Sequence, residues 1–251
     1  MTRGILTSGA RPDHGLVHTI SCNRAQFSFE MSSLEPFLTA LSTAEADALR
    51  SLGVQRAYGA KVTLIHQADE GGPVVVLLRG RVKIAVTTQA GREAIVAVRG
   101  PGDLVGELAA IDDAPRSSTV TTLEPVDALV VTRSDFMALL ERHPRIALVI
   151  LRTVARRLRY SDLQQAQFAT HDVVGRLAHR LVELSERFGT QSGDGIEITM
   201  PFSQEELATW VGASREAVSK SFQTLRSLRV VETGRRRVIV LDPDALRRHA
   251  R

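Results

Sequence analysis

The residues of this 251-residue chain that could do chemistry gather first in one stretch, GELAAIDDAPRSSTV, from Gly106 to Val120. The acid Glu107 stands near its start, and Arg116 is followed directly by Ser117 and Ser118. A fixed guanidinium with neutral donors beside it suits an anionic ligand, and a carboxylate in the same place calls for a hydroxyl on that ligand, such as that of a sugar. The stretch therefore predicts an anion site; the alternative is that the arginine is an exposed loop residue.

A second polar group falls on one face of a predicted helix near the carboxyl end. Ser203 followed by Glu206 has the pattern of a capping box that starts one helix, and after Gly212 a second helix starts at Ser214. At about 100° per residue, four polar positions of the second helix fall within an arc of about 140° and four apolar positions lie opposite. The polar positions are Arg215, Glu216, Ser219 and Lys220, and the apolar ones are Ala217, Val218, Phe222 and Leu225.

That polar face has the chemistry to contact base edges in a major groove of DNA. Arg and Lys donate to O6 and N7 of guanine, and a carboxylate accepts from the N4 amine of cytosine. Because phosphates repel a carboxylate, Glu216 is better explained by base contact than by general attraction. On this helix alone, the alternative is an exposed ion pair between Glu216 and Lys220, worth roughly a few tenths of a kcal/mol.

Two short strands are predicted after Leu228, around Gly234 and the three arginines Arg235, Arg236 and Arg237. A basic hairpin tip suits contacts with phosphates, which add affinity and salt dependence without sequence information. Helix, turn, helix and basic hairpin together predict a winged helix-turn-helix that binds double-stranded DNA.

The charge distribution agrees with a polyanionic partner at the carboxyl end. Residues 200–251 hold ten Lys/Arg and six Asp/Glu, and residues 1–199 hold twenty-two of each, so the net charge of +4 comes from the last segment. A solvated basic face is the alternative on charge alone.

The single Cys22 excludes an internal disulfide, a tetrathiolate zinc site and a Cys-ligated iron–sulfur cluster. Since no apolar run approaches the roughly 18 to 20 residues of a membrane span, we expect a cytoplasmic protein with no membrane partner.

The chain divides into four predicted segments of an α+β protein. Residues 1–30 lack sustained periodicity and predict a loose extension, and Met31 is an alternative start. Residues 31–143 hold short helices, with Ser42 or Thr43 as an internal cap, and then short β-branched runs between glycine turns, typical of an antiparallel, jelly-roll-like β-roll. Residues 144–171 predict a long helix that breaks near His171, and residues 172–251 hold the winged helix-turn-helix, with a flexible connector over 189–195.

The long helix carries the spacing of a dimer seam. Its seam positions alternate by four and three residues, as in a two-stranded coiled coil. They are Leu151, Ala155, Leu158, Asp162, Gln165 and Ala169. The pattern predicts a homodimerisation helix, with packing against the chain's own roll as the alternative.

With these motifs in place, residues 33–241 resemble the bacterial transcription regulators of the cyclic-AMP receptor protein (CRP/FNR) family. SQEELATWVGASREAVSK is similar to the family's DNA-reading motif, and GELAAIDDAPRSSTV is similar to its phosphate-binding cassette. The resemblance implies that the β-roll is cyclic-nucleotide-binding, that the protein is a homodimer without catalytic role, and that its partners are a palindromic operator of the TGTGA type and RNA polymerase.

The resemblance also implies the effector contacts. In this family pattern Glu107 accepts from the ribose 2′-hydroxyl, Arg116 pairs with the cyclic phosphate and Ser117 completes the hydrogen bonds of the phosphate. The implied effector-binding residues are Gly106, Glu107, Leu108, Arg116, Ser117, Ser118, Ser161 and Asp162. The last two stand at the positions that contact the base, and Asp162 departs from the family pattern. Its carboxylate could accept from the adenine N6 amine but suits the N1–H and N2 amine of guanine at least as well. Cyclic AMP is the favoured effector, and cyclic GMP or a weak or absent response are the alternatives.

The implied DNA-binding residues are Ser203, Gln204, Ser214, Arg215, Glu216, Ser219, Lys220, Arg235, Arg236 and Arg237. Lys220 stands where the family often has arginine, and because lysine lacks the bidentate fork, the half-site stays open. Effector binding would reorient the two recognition helices, with residues 171–174 as the hinge.

The β-roll could also hold a metal site, as in a cupin enzyme, or a haem. A metal-binding cupin enzyme would need a ligand set such as His-x-His, which His66 lacks, so no metal is expected. Haem, which other branches of the family use, stays open, although the scattered histidines form no evident ligand pair.

Overall fold

The computed structural model describes residues 35–89, 91–193 and 195–250. The predictions for residues 1–30, including Cys22, and for a start at Met31 lie outside this part of the chain.

Short helices precede the β-roll, as predicted. A 3₁₀ turn at Phe37–Ala40 leads into α1 (Thr43–Leu52), and Ser42 caps this helix in a capping box with Glu45. Phe37 and Leu49 are fully buried against the roll, so these turns close one side of its core.

Eight strands form the roll as two four-stranded antiparallel sheets, ordered β1-β8-β3-β6 and β2-β7-β4-β5, which confirms the predicted architecture. The strands are β1 (Val54–Tyr58), β2 (Thr63–Ile65), β3 (Val74–Arg79), β4 (Val82–Thr87), β5 (Glu93–Arg99), β6 (Leu104–Val105), β7 (Thr119–Thr122) and β8 (Val126–Val131). Val75, Leu77, Val82 and Val120 fill the core between the sheets. A short helix, α2 (Glu107–Asp112), interrupts the strands within the cassette.

Three helices follow the roll: α3 (Arg133–Arg142), α4 (Pro144–Thr170) and α5 (Val173–Phe188). The break predicted near His171 is present, since α4 ends at Thr170 and α5 begins at Val173. Asp172 caps α5 by accepting a hydrogen bond from the Gly175 N–H. Leu151 and Leu158 of the predicted seam are each 63% exposed on α4. Among the described residues, these two leucines of the long helix are therefore left largely uncovered.

The carboxyl-terminal module contains β9 (Thr190–Ser192), β10 (Gly195–Thr199), α6 (Gln204–Val211), α7 (Arg215–Ser227), β11 (Val231–Gly234), β12 (Arg237–Val240) and α8 (Pro243–His249). The prediction of a flexible connector over 189–195 is wrong, because β9 pairs with β10 and joins a sheet ordered β9-β10-β12-β11. Two details also differ: Arg237 belongs to β12 rather than to the hairpin tip, and α8 was not predicted. In the described part of the chain, no helix has the length and apolarity needed to cross a membrane.

One hydrophobic core joins the roll to the carboxyl-terminal module. Ile95, Val98 and Leu123 of the roll belong to the same buried cluster as Leu181 of α5 and Trp210 of α6. Because this cluster is continuous, the helix-turn-helix packs directly on the roll of its own chain and is not connected to it by the chain alone.

Candidate effector pocket and DNA-binding surface

A cavity of about 410 Å³ lies between the second sheet of the roll, the cassette and α4. Its volume falls within the roughly 300–1,000 Å³ of small-ligand sites. Seven of the eight predicted effector residues line it: Gly106, Glu107, Leu108, Arg116, Ser117, Ser118 and Ser161. The eighth, Asp162, is exposed and does not line the cavity of its own chain.

Gly106 shapes the cassette because its backbone has φ +82°, a left-handed conformation that favours glycine. A Cβ atom there would lie 2.6 Å from Nη1 of Arg116 and 2.9 Å from Cδ1 of Ile65. The glycine therefore allows the start of α2 and the arginine to approach closely.

Arg116 is only 5% exposed and is held by two carbonyl oxygens. Its guanidinium donates to Gly106 at 2.6 Å and to Pro73 at 2.8 Å. Burial lowers the pKa of Arg116, although the nearby carboxylates of Asp69 and Glu107 act in the opposite direction. Within the described ranges this guanidinium makes no ion pair with a carboxylate, so a desolvated cation is positioned at the cavity wall with capacity for an anion.

Glu107 is tied to the long helix by an ion pair that the sequence analysis missed. Arg157 of α4 donates to Glu107 at 2.6 Å and to the Leu104 carbonyl at 3.0 Å. Arg157 lies one helical turn before Ser161 and lines the same cavity, a spacing that could have identified it.

A buried polar network continues from the α4 wall of the cavity. Tyr160 donates to Glu183 of α5 at 2.8 Å and lies 3.2 Å from Nε2 of His179. Burial raises the pKa of Tyr160 and lowers that of His179 to about 4, so the imidazole is neutral near pH 7. Arg180 donates to Glu183 at 3.2 Å and lies 4.8 Å from the ring centre of Trp210. The cavity wall is thus joined to the first helix of the helix-turn-helix.

Lys83 forms a second link between roll and helix-turn-helix. This largely buried side chain on β4 pairs with Glu93 at 2.8 Å and with Glu206 of α6 at 3.1 Å. Glu206 is also the capping-box acid of α6, since it accepts from the N–H of Ser203 at 2.9 Å. One carboxylate therefore both starts α6 and attaches it to the roll.

The helix-turn-helix has the predicted local geometry. Ser203 caps α6, Gly212 ends it with φ +67°, and Ser214 caps α7 by accepting from the Ala217 N–H. On α7 the buried residues include Val218 and Leu225. The four polar positions predicted for DNA contact, Arg215, Glu216, Ser219 and Lys220, are all exposed.

A groove of about 550 Å³ runs between α7 and the wing. Of the predicted DNA-binding residues it is lined by Ser203, Gln204, Arg215, Ser219, Arg235, Arg236 and Arg237. Glu216 lies outside the groove, and its pKa is lowered by hydrogen bonds from its own backbone N–H and from Ser214. No ion pair joins Glu216 to Lys220 in the described structure, so the alternative of an i,i+4 pair has no support here.

The described residues contain no group of three or more His, Cys, Asp or Glu side chains that could hold a metal ion. In particular, no ligand cluster is present for the cupin alternative within that part of the chain.

Two solved structures share the fold. The c-di-GMP-responsive global regulator CLP of Xanthomonas campestris has a TM-score of 0.69 at 21% identity, covering 79% of this chain and 99% of the other. FixK2 of Bradyrhizobium japonicum has a TM-score of 0.70 at 17% identity, covering 79% and 98%. At these identities the likeness establishes the architecture alone.

Sequence comparisons establish the family as well as the architecture. A CRP-like cAMP-activated global transcriptional regulator of Mycobacterium tuberculosis is 35% identical over 189 residues, covering 75% of this chain and 84% of the relative. The Cyclic AMP receptor protein of Thermus thermophilus is 30% identical over 199 residues, covering 79% and 89%. A family model of the cyclic nucleotide-binding domain matches residues 55–143, and a model of the Crp-like helix-turn-helix domain matches residues 175–249. The chain therefore belongs to the cyclic-AMP receptor protein (CRP/FNR) family of DNA-binding transcriptional regulators, as its cassette and helix-turn-helix motifs predicted.

Proposed function

We propose that this protein is a homodimeric regulator that binds a cyclic purine mononucleotide in the cavity between roll and α4, and a palindromic operator through α7 and the wing. The observation that carries the proposal is the position of Arg116. A desolvated guanidinium without a carboxylate partner in the described chain stands beside Glu107 and two serines, on the wall of a cavity large enough for a mononucleotide.

Each cassette residue has a place in this proposal. Arg116 and the hydroxyls of Ser117 and Ser118 supply donors for the cyclic phosphate, since charged donors form the stronger hydrogen bonds to phosphate oxygens. Glu107 accepts from the ribose 2′-hydroxyl with the lone pairs that its bond to Arg157 leaves free. The names of the two relatives, one cAMP-activated and one a cyclic AMP receptor, support cyclic AMP as effector. Cyclic GMP is the second candidate.

The dimer is formed through α4. Its exposed Leu151 and Leu158 lie on one seam, and burying such side chains contributes about 1.5–3 kcal/mol each. Asp162 lies on this exposed side of the helix, so in the dimer it faces the partner helix rather than its own cavity. Two copies place two recognition helices in successive major grooves, which suits a palindromic operator. RNA polymerase is the protein partner, the protein has no catalytic role, and it acts in the cytoplasm with its DNA.

The effector acts by favouring one of two arrangements of roll and helix-turn-helix. A nucleotide between the cassette and α4 contacts the helix that carries Arg157 and Tyr160, and Tyr160 is joined through Glu183 and Arg180 to Trp210 of α6. Only contacts that differ between the two arrangements shift their populations. The break between α4 and α5 at His171 and Asp172 is the hinge in this mechanism, and Val173 and Val174 of the predicted hinge 171–174 lie in the first turn of α5.

Calorimetric titration of the purified protein with cyclic AMP and cyclic GMP tests the proposal. Binding to at least one nucleotide is expected, and Arg116→Met should weaken it more than about 100-fold, since a buried charge-assisted pair to phosphate is lost. Arg79→Met, on an exposed arginine of the neighbouring strand, is the matched control and should bind as the wild type. No heat with either nucleotide would refute the effector assignment.

A further inference from the structure

The cavity contains a second, half-buried arginine that the phosphate-binding cassette does not use. Arg99 ends β5 and lines the cavity together with Ser161 and Gln164 of α4. Its guanidinium donates to the carbonyl of the adjacent Val98 at 3.2 Å. A guanidinium has five N–H donors, so most of its donor capacity is unused.

The acids near Arg99 are paired with other arginines. Asp103 accepts from Arg187 at 2.5 Å, and Glu183 accepts from Arg180 at 3.2 Å. Throughout the described ranges, Arg99 forms no ion pair with a carboxylate. Desolvation and the neighbouring cations Arg157 and Arg187 together lower the pKa of Arg99 to about 10, against the opposing effect of Asp103 and Glu183. A half-buried cation without a carboxylate partner has unused donors, and such a group in a ligand cavity calls for an acceptor on the ligand.

Gln164 independently indicates that the ligand supplies a hydrogen-bond acceptor at this end of the cavity. Its Oε1 accepts from Arg180 at 3.2 Å, and because arginine can only donate, the orientation of the amide is fixed. The Nε2 of Gln164 is buried at the cavity, and only the Tyr160 hydroxyl lies near enough in the described structure to take one of its two N–H groups, so an N–H is left for a ligand. The α4 end of the cavity therefore offers donors from two side chains and needs acceptors.

We propose that Arg99 determines base specificity by donating two hydrogen bonds to O6 and N7 of guanine, so that cyclic GMP is the preferred effector. This inference rests on the proposed function, in which Arg116 holds the cyclic phosphate. Guanine presents two adjacent acceptors on this edge, the pair that arginine binds bidentately. Adenine presents the N7 acceptor beside the N6 amine, so one donor of Arg99 would face another donor and stay unpaired.

Binding of cyclic IMP distinguishes base selection by Arg99 from base selection by the carboxylate of Asp162. Hypoxanthine keeps O6 and N7 but lacks the N2 amine of guanine. If Arg99 determines the preference, cyclic IMP binds nearly as tightly as cyclic GMP. If an acid that accepts from the N2 amine determined it, cyclic IMP would bind as weakly as cyclic AMP.

The experiment is a calorimetric titration of the full chain with cyclic GMP, cyclic IMP and cyclic AMP. For the wild type, cyclic GMP and cyclic IMP should bind about 10- to 100-fold more tightly than cyclic AMP, the discrimination expected of one bidentate pair. Arg99→Met should lose this preference and keep its binding of cyclic AMP, which also shows that the variant is folded. Arg99→Lys keeps the positive charge but lacks the planar pair of donors of a guanidinium, so it should lose most of the preference for cyclic GMP over cyclic AMP. Arg79→Met should keep the wild-type ratio.

The outcomes distinguish the two proposals. Absence of binding for all three nucleotides would refute the proposed function itself. Tight cyclic AMP binding at or above that of cyclic GMP, a ratio unchanged in Arg99→Met, or weak cyclic IMP beside tight cyclic GMP would each overturn the assignment of Arg99 while leaving the effector site in place.

Discussion

Arg157 of the long helix donates a hydrogen bond of 2.6 Å to Glu107, which lies 50 residues earlier and begins the cassette helix. The two side chains are 19% and 5% exposed, so the pair is largely removed from water. The long helix α4 is therefore attached to the cassette by a largely buried ion pair, so a ligand that hydrogen-bonds to Glu107 would act directly on a contact of α4.

Removing Arg157 should destabilise the chain strongly. Arg157→Met leaves the Glu107 carboxylate buried without its ion-pair partner, and breaking a buried pair in this way costs about 3–5 kcal/mol. Urea unfolding followed by circular dichroism measures the loss. The double variant Arg157→Met with Glu107→Gln removes both charges and should recover part of it. With Glu107→Gln measured alone as the second single variant, a loss in the double variant equal to the sum of the two single losses would show that the pair has no energetic coupling.

The link between Lys83 and Glu206 should make the attachment of the helix-turn-helix sensitive to acid. Burial alone would raise the pKa of Glu206, but hydrogen bonds from Ser203 and Lys83 outweigh that effect and lower the pKa below its ordinary 4.5. A carboxyl with a lowered pKa contributes stability above its unfolded pKa, and the contribution is lost as pH falls through the lower folded value. The effect is thus confined to pH below about 4.5.

Glu206→Gln tests this contribution, because glutamine can still accept from the Ser203 N–H in the capping box but carries no charge toward Lys83. At pH 7 the free energy of unfolding should fall by about 1–2 kcal/mol, since Lys83 keeps Glu93 as a partner. Between about pH 5 and pH 3 the decline in stability should be shallower than in the wild type. The exposed Glu205→Gln on the same helix is the control, and an identical acid profile for Glu206→Gln and the wild type would contradict the prediction.

The elements that sequence could predict were those with a strong local signal. The roll follows from short β-branched runs between glycine turns, and α6 and α7 follow from the caps Ser203 and Ser214. The strand β9 was missed because TQSGDG has turn composition, and its pairing with β10 is supplied by the wing sheet rather than by local propensity.

The cassette could also be found from sequence, since its residues lie within one short stretch. The base end of the cavity could not be found in this way. Arg99 and Gln164 come from β5 and α4 and share no motif, so only the packing of the long helix on the roll brings them to one cavity. Arg157, in contrast, lies one helical turn before Ser161 and could have been found from that spacing. Arginine and glutamine are ordinary surface residues on a strand or helix, and their burial is a tertiary effect.

Glu216 should affect which operator is bound more than how tightly DNA is bound in general. Its side chain is exposed on α7, accepts from its own N–H and from Ser214, and forms no ion pair with Lys220 in the described chain, so the carboxylate keeps lone pairs that can accept from a cytosine amine. Glu216→Ala should relax discrimination at one base pair of each half-site, by about 1–3 kcal/mol. Competition binding against a set of single-base operator variants measures this. Glu205→Ala makes the same charge change on α6 and should leave the profile intact, whereas uniform weakening on every sequence would assign Glu216 a structural role.

The wing should contribute through phosphates, and its three arginines should contribute unequally. Arg235 and Arg236 form the tip between β11 and β12, whereas Arg237 lies in β12 within 3.5 Å of the Glu197 carboxylate. Each phosphate contact that is lost lowers the slope of log K against log salt by about 0.9. Replacing Arg235 and Arg236 by alanine should therefore flatten the slope by up to about 1.8 for each subunit bound, or about 3.6 for the proposed dimer, and Arg237→Ala should change it less because Glu197 already offsets its charge. Fluorescence anisotropy over a salt series measures the slopes on operator and random DNA alike, and an unchanged slope in the double variant would remove the wing from the phosphate contacts.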